Sequence, residues 1–120
     1  MKAERFVNGQ GLTIGYFIYC PGCKGMHAIH VEGPVVWAFN GDIEKPTFSP
    51  SLLLRSGHHI HNHTGECWCT YEKRFNKKSP FNCVVCHSFI TDGKIQFLSD
   101  CTHELAGQTV DLPDTGADFD

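Results

Sequence analysis

The sequence lacks any long hydrophobic run. The apolar stretch at residues 12–19 is too short to cross a membrane, and no small-residue cleavage site accompanies it. Residues 1–10 are charged and polar, so we expect neither a secretory leader nor a membrane anchor. Internal repeats and long helical periodicities are missing as well, which leaves short elements as the material of the fold.

Basic residues are also scarce. The net charge is -3 at pH 7 with neutral histidines, whereas a dedicated nucleic-acid-binding protein usually carries a clear basic excess. We therefore favour a protein partner or substrate over nucleic acid. The 120 residues, 41% of them hydrophobic, suffice for one globular core. We expect one domain over residues 1–112, followed by a flexible acidic tail over residues 113–120.

The cysteines do not form a typical disulfide framework. There are seven, which is an odd number, and no signal peptide precedes them. A reducing, cytoplasmic environment fits this pattern best, and thiolates there usually serve as metal ligands or catalytic groups. We therefore interpret the cysteines, together with the eight histidines, as candidate ligands of Zn²⁺.

Short runs of aromatic and β-branched residues predict a mainly β fold. We expect a small antiparallel sheet domain with a zinc-ribbon-like insert and one short helical turn. Strands are predicted at residues 13–19, 26–31, 35–39, 48–55 and 108–112, and the helical turn at residues 102–107. Asp92-Gly93 between two β-rich runs predicts a type I′ hairpin, which pairs Thr91 with Lys94 and continues to His87 opposite Leu98.

Residues 57–86 form the predicted insert, because they lack strand periodicity until their last positions. Two close cysteine pairs, separated by 13 residues, can surround one tetrahedral Zn²⁺ with four thiolates. Such a site is coordinatively closed and therefore structural. The predicted ligands are Cys67, Cys69, Cys83 and Cys86.

A second group of ligand types begins with the Cys20-Pro21-Gly22-Cys23 knuckle and continues at His87, Cys101 and His103. Cys86 and His87 are adjacent at the start of a strand, where successive side chains point to opposite faces. The two residues are therefore not expected to bind the same ion. Thiol redox chemistry at the knuckle is the alternative, although no helix pattern follows it to lower a thiol pKa.

Four segments resemble a known family: Cys20 to Cys23, Trp37 to Ser51, Cys86 to Phe89, and Asp100 to Val110. The family consists of small phage and bacterial proteins that are mostly uncharacterised, and many bear the misleading label "ammonia monooxygenase". Bacterial members are found beside ubiquitin-like conjugation genes. The resemblance implies a peptidase-like role and a metal site made by one Cys, one Glu and two His.

That implied set falls on Cys20 or Cys23, Glu44, His87 and His103. Two histidines and one thiolate leave a fourth zinc position open for water, whose pKa falls to about 7 in such sites. Glu44 would then act as the general base, or would close the site as a fourth ligand. Asp100 or Asp42 could orient a histidine.

The leading hypothesis is therefore a zinc-dependent hydrolase, of a peptidase or isopeptidase type, with two zinc ions. A non-catalytic zinc module that binds protein or, less favoured, nucleic acid is the first alternative, and a thiol redox protein is the second. Histidines 58, 59, 61 and 63 are interpreted as an exposed loop, and the cations Lys73, Arg74, Lys77 and Lys78 as a solvated face. Trp37, Phe39, Phe48 and Phe97 are the predicted core aromatics.

Overall fold

The computed structural model of the chain describes residues 1–60, 63–79 and 83–115. The fold is mainly β with two antiparallel sheets and one short helix, as the sequence predicts. The first sheet has the order β1-β2-β3 and the second the order β4-β5-β6-β7-β8. The strands are β1 Glu4–Val7, β2 Thr13–Cys20, β3 Gly25–His30, β4 Ala38–Phe39, β5 Phe48–Arg55, β6 Val85–Thr91, β7 Lys94–Phe97 and β8 Thr109–Asp111.

The β6–β7 hairpin has the predicted register. Thr91 pairs with Lys94, and the Leu98 N–H donates to the His87 carbonyl at 2.9 Å. Asp92 and Gly93 both adopt positive φ, at 55° and 79°, as a type I′ turn requires. Local turn chemistry therefore determines this part of the second sheet.

Three sequence expectations differ from the structure. β1 has no predicted counterpart, and the predicted strand at residues 35–39 shrinks to β4 because Val35 and Val36 lie exposed in the preceding loop. The predicted helical turn at residues 102–107 is a hydrogen-bonded turn, in which the Ala106 N–H donates to the His103 carbonyl at 3.2 Å. The helix lies instead in the insert, as α1 Tyr71–Phe75.

The core contains buried side chains from both sheets. Ile18 and Ile29 of the first sheet belong to one hydrophobic cluster with Ile90, Ile95 and Phe97 of the second, and none of the five is more than 1% exposed. Burying a side chain of this size contributes about 1.5–3 kcal/mol. The predicted aromatics Phe48 and Phe97 are buried, while Trp37 and Phe39 pack partly buried against the cluster.

β5 and β6 lose their register near the start of β5. Phe48 pairs with Ile90 and Leu52 pairs with Ser88, so three residues of β5 lie opposite the single residue Phe89. Such a bulge bends a strand and changes the direction of a side chain. Ser51 is the last of these three residues. It lies diagonally opposite His87, because His87 pairs with Leu53, two residues further along β5.

The insert contains two short 3₁₀ turns, Gly57–His59 and Trp68–Thr70, in addition to α1. Its residues 61–62 and 80–82 lie outside the described residues, as do residues 116–120 of the predicted tail. The described part of that tail contacts the N-terminus, since the Thr115 N–H donates to the Met1 carbonyl at 2.8 Å. No helix in the described part of the chain is long and apolar enough to span a membrane.

Candidate functional site

Strand β6 supplies side chains to two different sites. Its residues alternate between the core and the outer face, with Cys86 only 2% exposed and the His87 side chain 25% exposed. Cys86 and His87 therefore point to opposite faces of the sheet, as the sequence predicts. Cys86 joins a cluster of cysteine and histidine side chains, while His87 joins a serine and an aspartate.

The His87 ring contacts Ser51 on one side. Ser51 Oγ lies 3.2 Å from His87 Nε2, which is a hydrogen-bond distance across the β5–β6 pair. The contact follows from the alternation along β5, because Leu53 pairs with His87 and Ser51, two residues earlier, lies on the same face. Ser51 is half-buried, so its hydroxyl is sheltered but still accessible.

Asp100 contacts the other side of the same ring. Its Oδ2 atom lies 3.1 Å from His87 Nδ1, and its side chain is 54% exposed. An ionised carboxylate can only accept a hydrogen bond, so Nδ1 carries the proton and donates to Asp100. In the neutral ring Nε2 is then the acceptor, and the Ser51 hydroxyl donates to it.

Cys101 holds the backbone of the histidine in this arrangement. The His87 N–H donates to Cys101 Sγ at 3.2 Å, and the Cys101 thiol donates to the His87 carbonyl at 3.2 Å. Cys101 is buried, so neither bond competes freely with water. Cys101, which the sequence interpretation grouped with the candidate ligands, therefore fixes the position of β6 at His87.

The first metal-type cluster contains Cys20, Cys23, Cys86 and His103, whose candidate ligand atoms all lie within 4.8 Å of one another. The knuckle between β2 and β3 supplies two of these residues, β6 supplies the third, and the turn after β7 supplies the fourth. Gly22 makes the approach possible, because a side chain at that position would overlap the His103 ring.

The spacing of this cluster fits a tetrahedral zinc ion. Zn–S and Zn–N bonds of about 2.3 and 2.0–2.1 Å imply edges of about 3.8 Å between two sulfurs and about 3.5 Å between sulfur and nitrogen. Cys20 Sγ and Cys86 Sγ are 3.9 Å apart, and Cys86 Sγ lies 3.6 Å from His103 Nε2. All the cysteines are free, and the donor set is a common one for structural zinc.

Hydrogen bonding within the cluster separates the pKa values of its thiols. Hydrogen bonds from Cys23 and Cys86 lower the pKa of Cys20, and the Cys20 hydrogen bond raises the pKa of Cys23 to about 11. The pKa of Cys86 is raised, first by its hydrogen bond to Cys20. Thiols packed this closely share their protons, and a cation at the centre would replace those protons.

The second cluster lies in the insert and contains His58, Cys67, Cys69 and Cys83. Cys67 Sγ lies 3.5 Å from His58 Nδ1, which again matches the sulfur–nitrogen edge of a zinc tetrahedron. Burial raises the pKa of Cys83, but backbone hydrogen bonds from His58 and Cys69 and contacts with both other thiols lower it to about 6 overall. A side chain at Gly57 would overlap Cys83.

The structure therefore divides the predicted ligands differently from the sequence interpretation. Cys86 lies with the knuckle and His103, and His58 takes the place expected for Cys86 in the insert. Both knuckle cysteines belong to one cluster, so no choice between Cys20 and Cys23 is needed. His87 is a member of neither cluster, because alternation along β6 turns it toward Ser51.

Glu44 is not brought to either cluster. It is exposed in the loop before β5, where its carboxylate lies 3.6 Å from the Met1 amine and its N–H donates to Asp42 Oδ1 at 2.9 Å. Asp42 thus caps its own turn, and the orienting carboxylate beside a histidine is Asp100.

Arg74, one of the four basic residues of the insert, has a structural environment. It bonds to the Cys67 carbonyl at 3.0 Å, pairs with Glu66 at 3.0 Å, and lies 5.0 Å from the centre of the Phe75 ring. Lys73, Lys77 and Lys78 are exposed. Of the four histidines interpreted as an exposed loop, His58 is a cluster member and His61 lies outside the described residues.

Ser51 is the candidate functional residue that sequence reasoning missed. No glycine-flanked nucleophile motif surrounds it, and it lies 36 residues from His87 in the chain. The only local signal is the irregular Ser49-Pro50-Ser51 segment, which ends one of the long motifs of the family resemblance. A serine, histidine and aspartate in consecutive hydrogen-bond contact form the catalytic constellation of serine hydrolases, which recurs on unrelated folds.

Comparison with known families agrees with this class. The chain belongs to the family described as bacterial ubiquitination-like system serine protease (BubE), which matches residues 3–98 of the 120-residue chain. The match includes Ser51 and His87 and ends just before Asp100. It supports the link to ubiquitin-like conjugation that the sequence resemblance implied. No curated protein and no solved structure matches the chain.

Proposed function

We propose that this protein is a serine protease acting on a protein substrate of a ubiquitination-like system, with Ser51 as nucleophile, His87 as general base and Asp100 as the orienting carboxylate. The observation that carries the proposal is the line of contacts on the outer face of the second sheet. Ser51 Oγ lies 3.2 Å from His87 Nε2, and His87 Nδ1 lies 3.1 Å from Asp100 Oδ2. The family description supports the same reaction class.

In the proposed mechanism, the proton transfers follow the two contacts of the His87 ring. Ser51 Oγ attacks the scissile carbonyl carbon while its proton moves to His87 Nε2, and Asp100 stabilises the imidazolium that forms. The tetrahedral intermediate collapses to an acyl ester on Ser51, and His87 returns the proton to the leaving amine. Water then attacks the ester with His87 again taking the proton, which releases the acid product and restores Ser51.

The two Cys/His clusters are proposed as structural Zn²⁺ sites. Cys20, Cys23, Cys86 and His103 would hold one ion, and His58, Cys67, Cys69 and Cys83 the other. Four protein ligands close a tetrahedral zinc ion and leave no position for a water nucleophile. Bound zinc would supply cross-links between distant segments, so hydrolysis by this chain runs through Ser51.

Labelling with a fluorophosphonate probe tests the nucleophile. We expect the probe to modify Ser51, identified by peptide mapping, in the wild-type protein and in Ser49→Ala, which removes an exposed serine two residues away on the same strand. Ser51→Ala should lose both the labelling and the cleavage of a proteome-derived peptide library. Labelling spread over other serines, or retained in Ser51→Ala, contradicts the assignment.

The zinc-dependent hydrolase predicts the opposite pattern of variants. In that mechanism Glu44→Gln abolishes cleavage and Ser51→Ala leaves it intact. For the serine protease we expect Glu44→Gln to cleave the library like the wild type, because the Glu44 carboxylate is exposed and lies beside the Met1 amine. Measuring both variants side by side decides between the two mechanisms.

A further inference from the structure

Strand β5, which carries Ser51, has an open edge. β4 covers only its first residues, with Ala38 paired to Ser49 and Phe39 to Phe48. No other strand in the described part of the chain pairs with β5 on that side. From Leu52 to Arg55 the strand is therefore bonded to β6 on one side, and no strand among the described residues covers its other side.

The hydrogen-bond alternation along β5 identifies the groups that face β6. The Ser56 N–H, directly after the strand, donates to the Val84 carbonyl at 2.9 Å on the β6 side. In an antiparallel pair, every second residue points toward the same neighbour. Leu54 and Leu52 therefore also direct their main-chain N–H and C=O groups toward β6.

Leu53 and Arg55 consequently direct their main-chain groups to the open edge. Their position opposite His87 and Val85 agrees, because the carbonyls of those two residues accept bonds from beyond β6, on the far side from β5. Leu53 is 41% exposed, and Arg55 is exposed as well. Two N–H and two C=O groups are thus available to a chain lying alongside.

The open edge ends at the nucleophile. The Ser51 carbonyl also faces this side, where it accepts a bond from Trp37 Nε1 at 3.2 Å. Trp37 therefore closes the edge at Ser51 and leaves it free from Leu53 onward. Ser51 and Leu53 are two positions apart along the extended strand, a distance of about 7 Å.

We propose that the substrate binds as an extended polypeptide segment that adds a strand to the open edge of β5 at Leu53 and Arg55, with its scissile bond over Ser51. The inference rests on the proposed function and names the form in which that site takes its substrate. Strand addition supplies main-chain hydrogen bonds without regard to sequence, and it would align the segment with the nucleophile on the same strand. A folded loop cannot offer such a row of donors and acceptors.

The outer face beside the edge is apolar. Leu53 lies opposite His87, and Phe89 is 42% exposed with its ring 6.4 Å from the His87 ring. Alternate side chains of an added strand would point toward this face. The extended segment therefore has an apolar side chain near the scissile bond.

A backbone N-methyl scan of a cleaved peptide tests the inference with the wild-type protein. An octapeptide is built around the site most strongly cleaved in the proteome-derived library, and one amide at a time is methylated. We expect KM to rise about tenfold at alternate positions on one side of the scissile bond, where an N–H bonds to β5, with little change at the positions between. Equal effects at every position, or no effect, overturn strand addition.

Leu53→Pro removes the edge-facing N–H from the protein side, and proline is tolerated at a strand edge. Thr109→Pro is the matched control at the opposite edge of the same sheet. Its N–H also faces outward, since the neighbouring bonds of β8 to β7 are made by Gln108 and Leu112. We expect Leu53→Pro to raise KM for the octapeptide, whereas Thr109→Pro should leave KM unchanged. The rate at which the fluorophosphonate labels Ser51 should stay the same in Leu53→Pro.

The outcomes separate this inference from the proposed function. If the wild-type protein shows no labelling at Ser51, the proposed serine protease function is wrong. Two outcomes with normal Ser51 labelling would contradict strand addition alone. One is that no extended peptide is cleaved, and the other is that Leu53→Pro leaves KM unchanged. If the melting temperature of Leu53→Pro is well below that of Thr109→Pro, its KM is not informative. The N-methyl scan on the wild-type protein then decides whether strand addition is right.

Discussion

At the scale of single residues, Asp100 has one clear task, which is to fix the tautomer of His87. Its carboxylate accepts from Nδ1 at 3.1 Å and thereby leaves Nε2 free to accept from Ser51. Because the side chain is about half exposed, water weakens this pair in the free protein.

Asp100→Asn should lower kcat by about 10²–10⁴-fold, since an amide can donate to Nδ1 and select the wrong tautomer. KM for the octapeptide should change little, because Asp100 contacts His87 on the side of the ring that faces away from Ser51 and the open edge of β5. Asp92→Asn is the matched control, since asparagine tolerates the positive φ at that turn position. A kcat in Asp100→Asn equal to the control would show that Asp100 plays no part.

At the scale of elements, β6 connects the first Cys/His cluster to the candidate active site. Cys86 and His87 are neighbours on this strand, and Asp100 and His103 are close neighbours in the segment after β7. A metal ion on Cys86 and His103 would therefore tie together the two segments that carry the base and its orienting carboxylate. The insert cluster contains no sequence neighbour of the three proposed catalytic residues.

Removing the two metal sites separately should have different consequences. Wild-type protein should hold two Zn²⁺ ions by native mass spectrometry, and both Cys86→Ser and Cys69→Ser should hold one. Cys86→Ser should lose most of its Ser51 labelling, because β6 and the segment after β7 are no longer linked. Cys69→Ser should retain it.

Two results would count against this arrangement. One is wild-type protein that binds no zinc after expression in zinc-supplemented medium. The other is Cys86→Ser protein that labels at the wild-type rate.

At the scale of the whole molecule, one hydrophobic cluster holds the two sheets together. Phe97 is 1% exposed and packs edge-on against the His103 ring, with ring centroids 4.4 Å apart. The core and the first Cys/His cluster are thus in direct contact. The candidate active site lies on the other face of the same sheet, on strands whose inner side chains are buried.

Phe97→Ala should lower the free energy of unfolding by about 3–5 kcal/mol, because it leaves a cavity where both sheets and His103 meet. Phe89→Ala removes the same side chain from the exposed face of β6 and should cost well under half as much. Urea unfolding of both variants measures the difference. Similar losses in the two variants would show that the cluster around Phe97 is not the main core.

The sequence by itself determined most of the strands and most of the residues of the two Cys/His clusters. Turn chemistry at Asp92-Gly93 set the hairpin register, and alternation at Cys86-His87 separated their roles, because both are properties of adjacent residues. Only the tertiary structure decided which candidate ligands lie together and which serine contacts His87. The contacts of His58 and Ser51 cannot be read from adjacent residues, since they depend on the insert turning back to Cys67 and on the pairing of β5 with β6 that brings Ser51 beside His87.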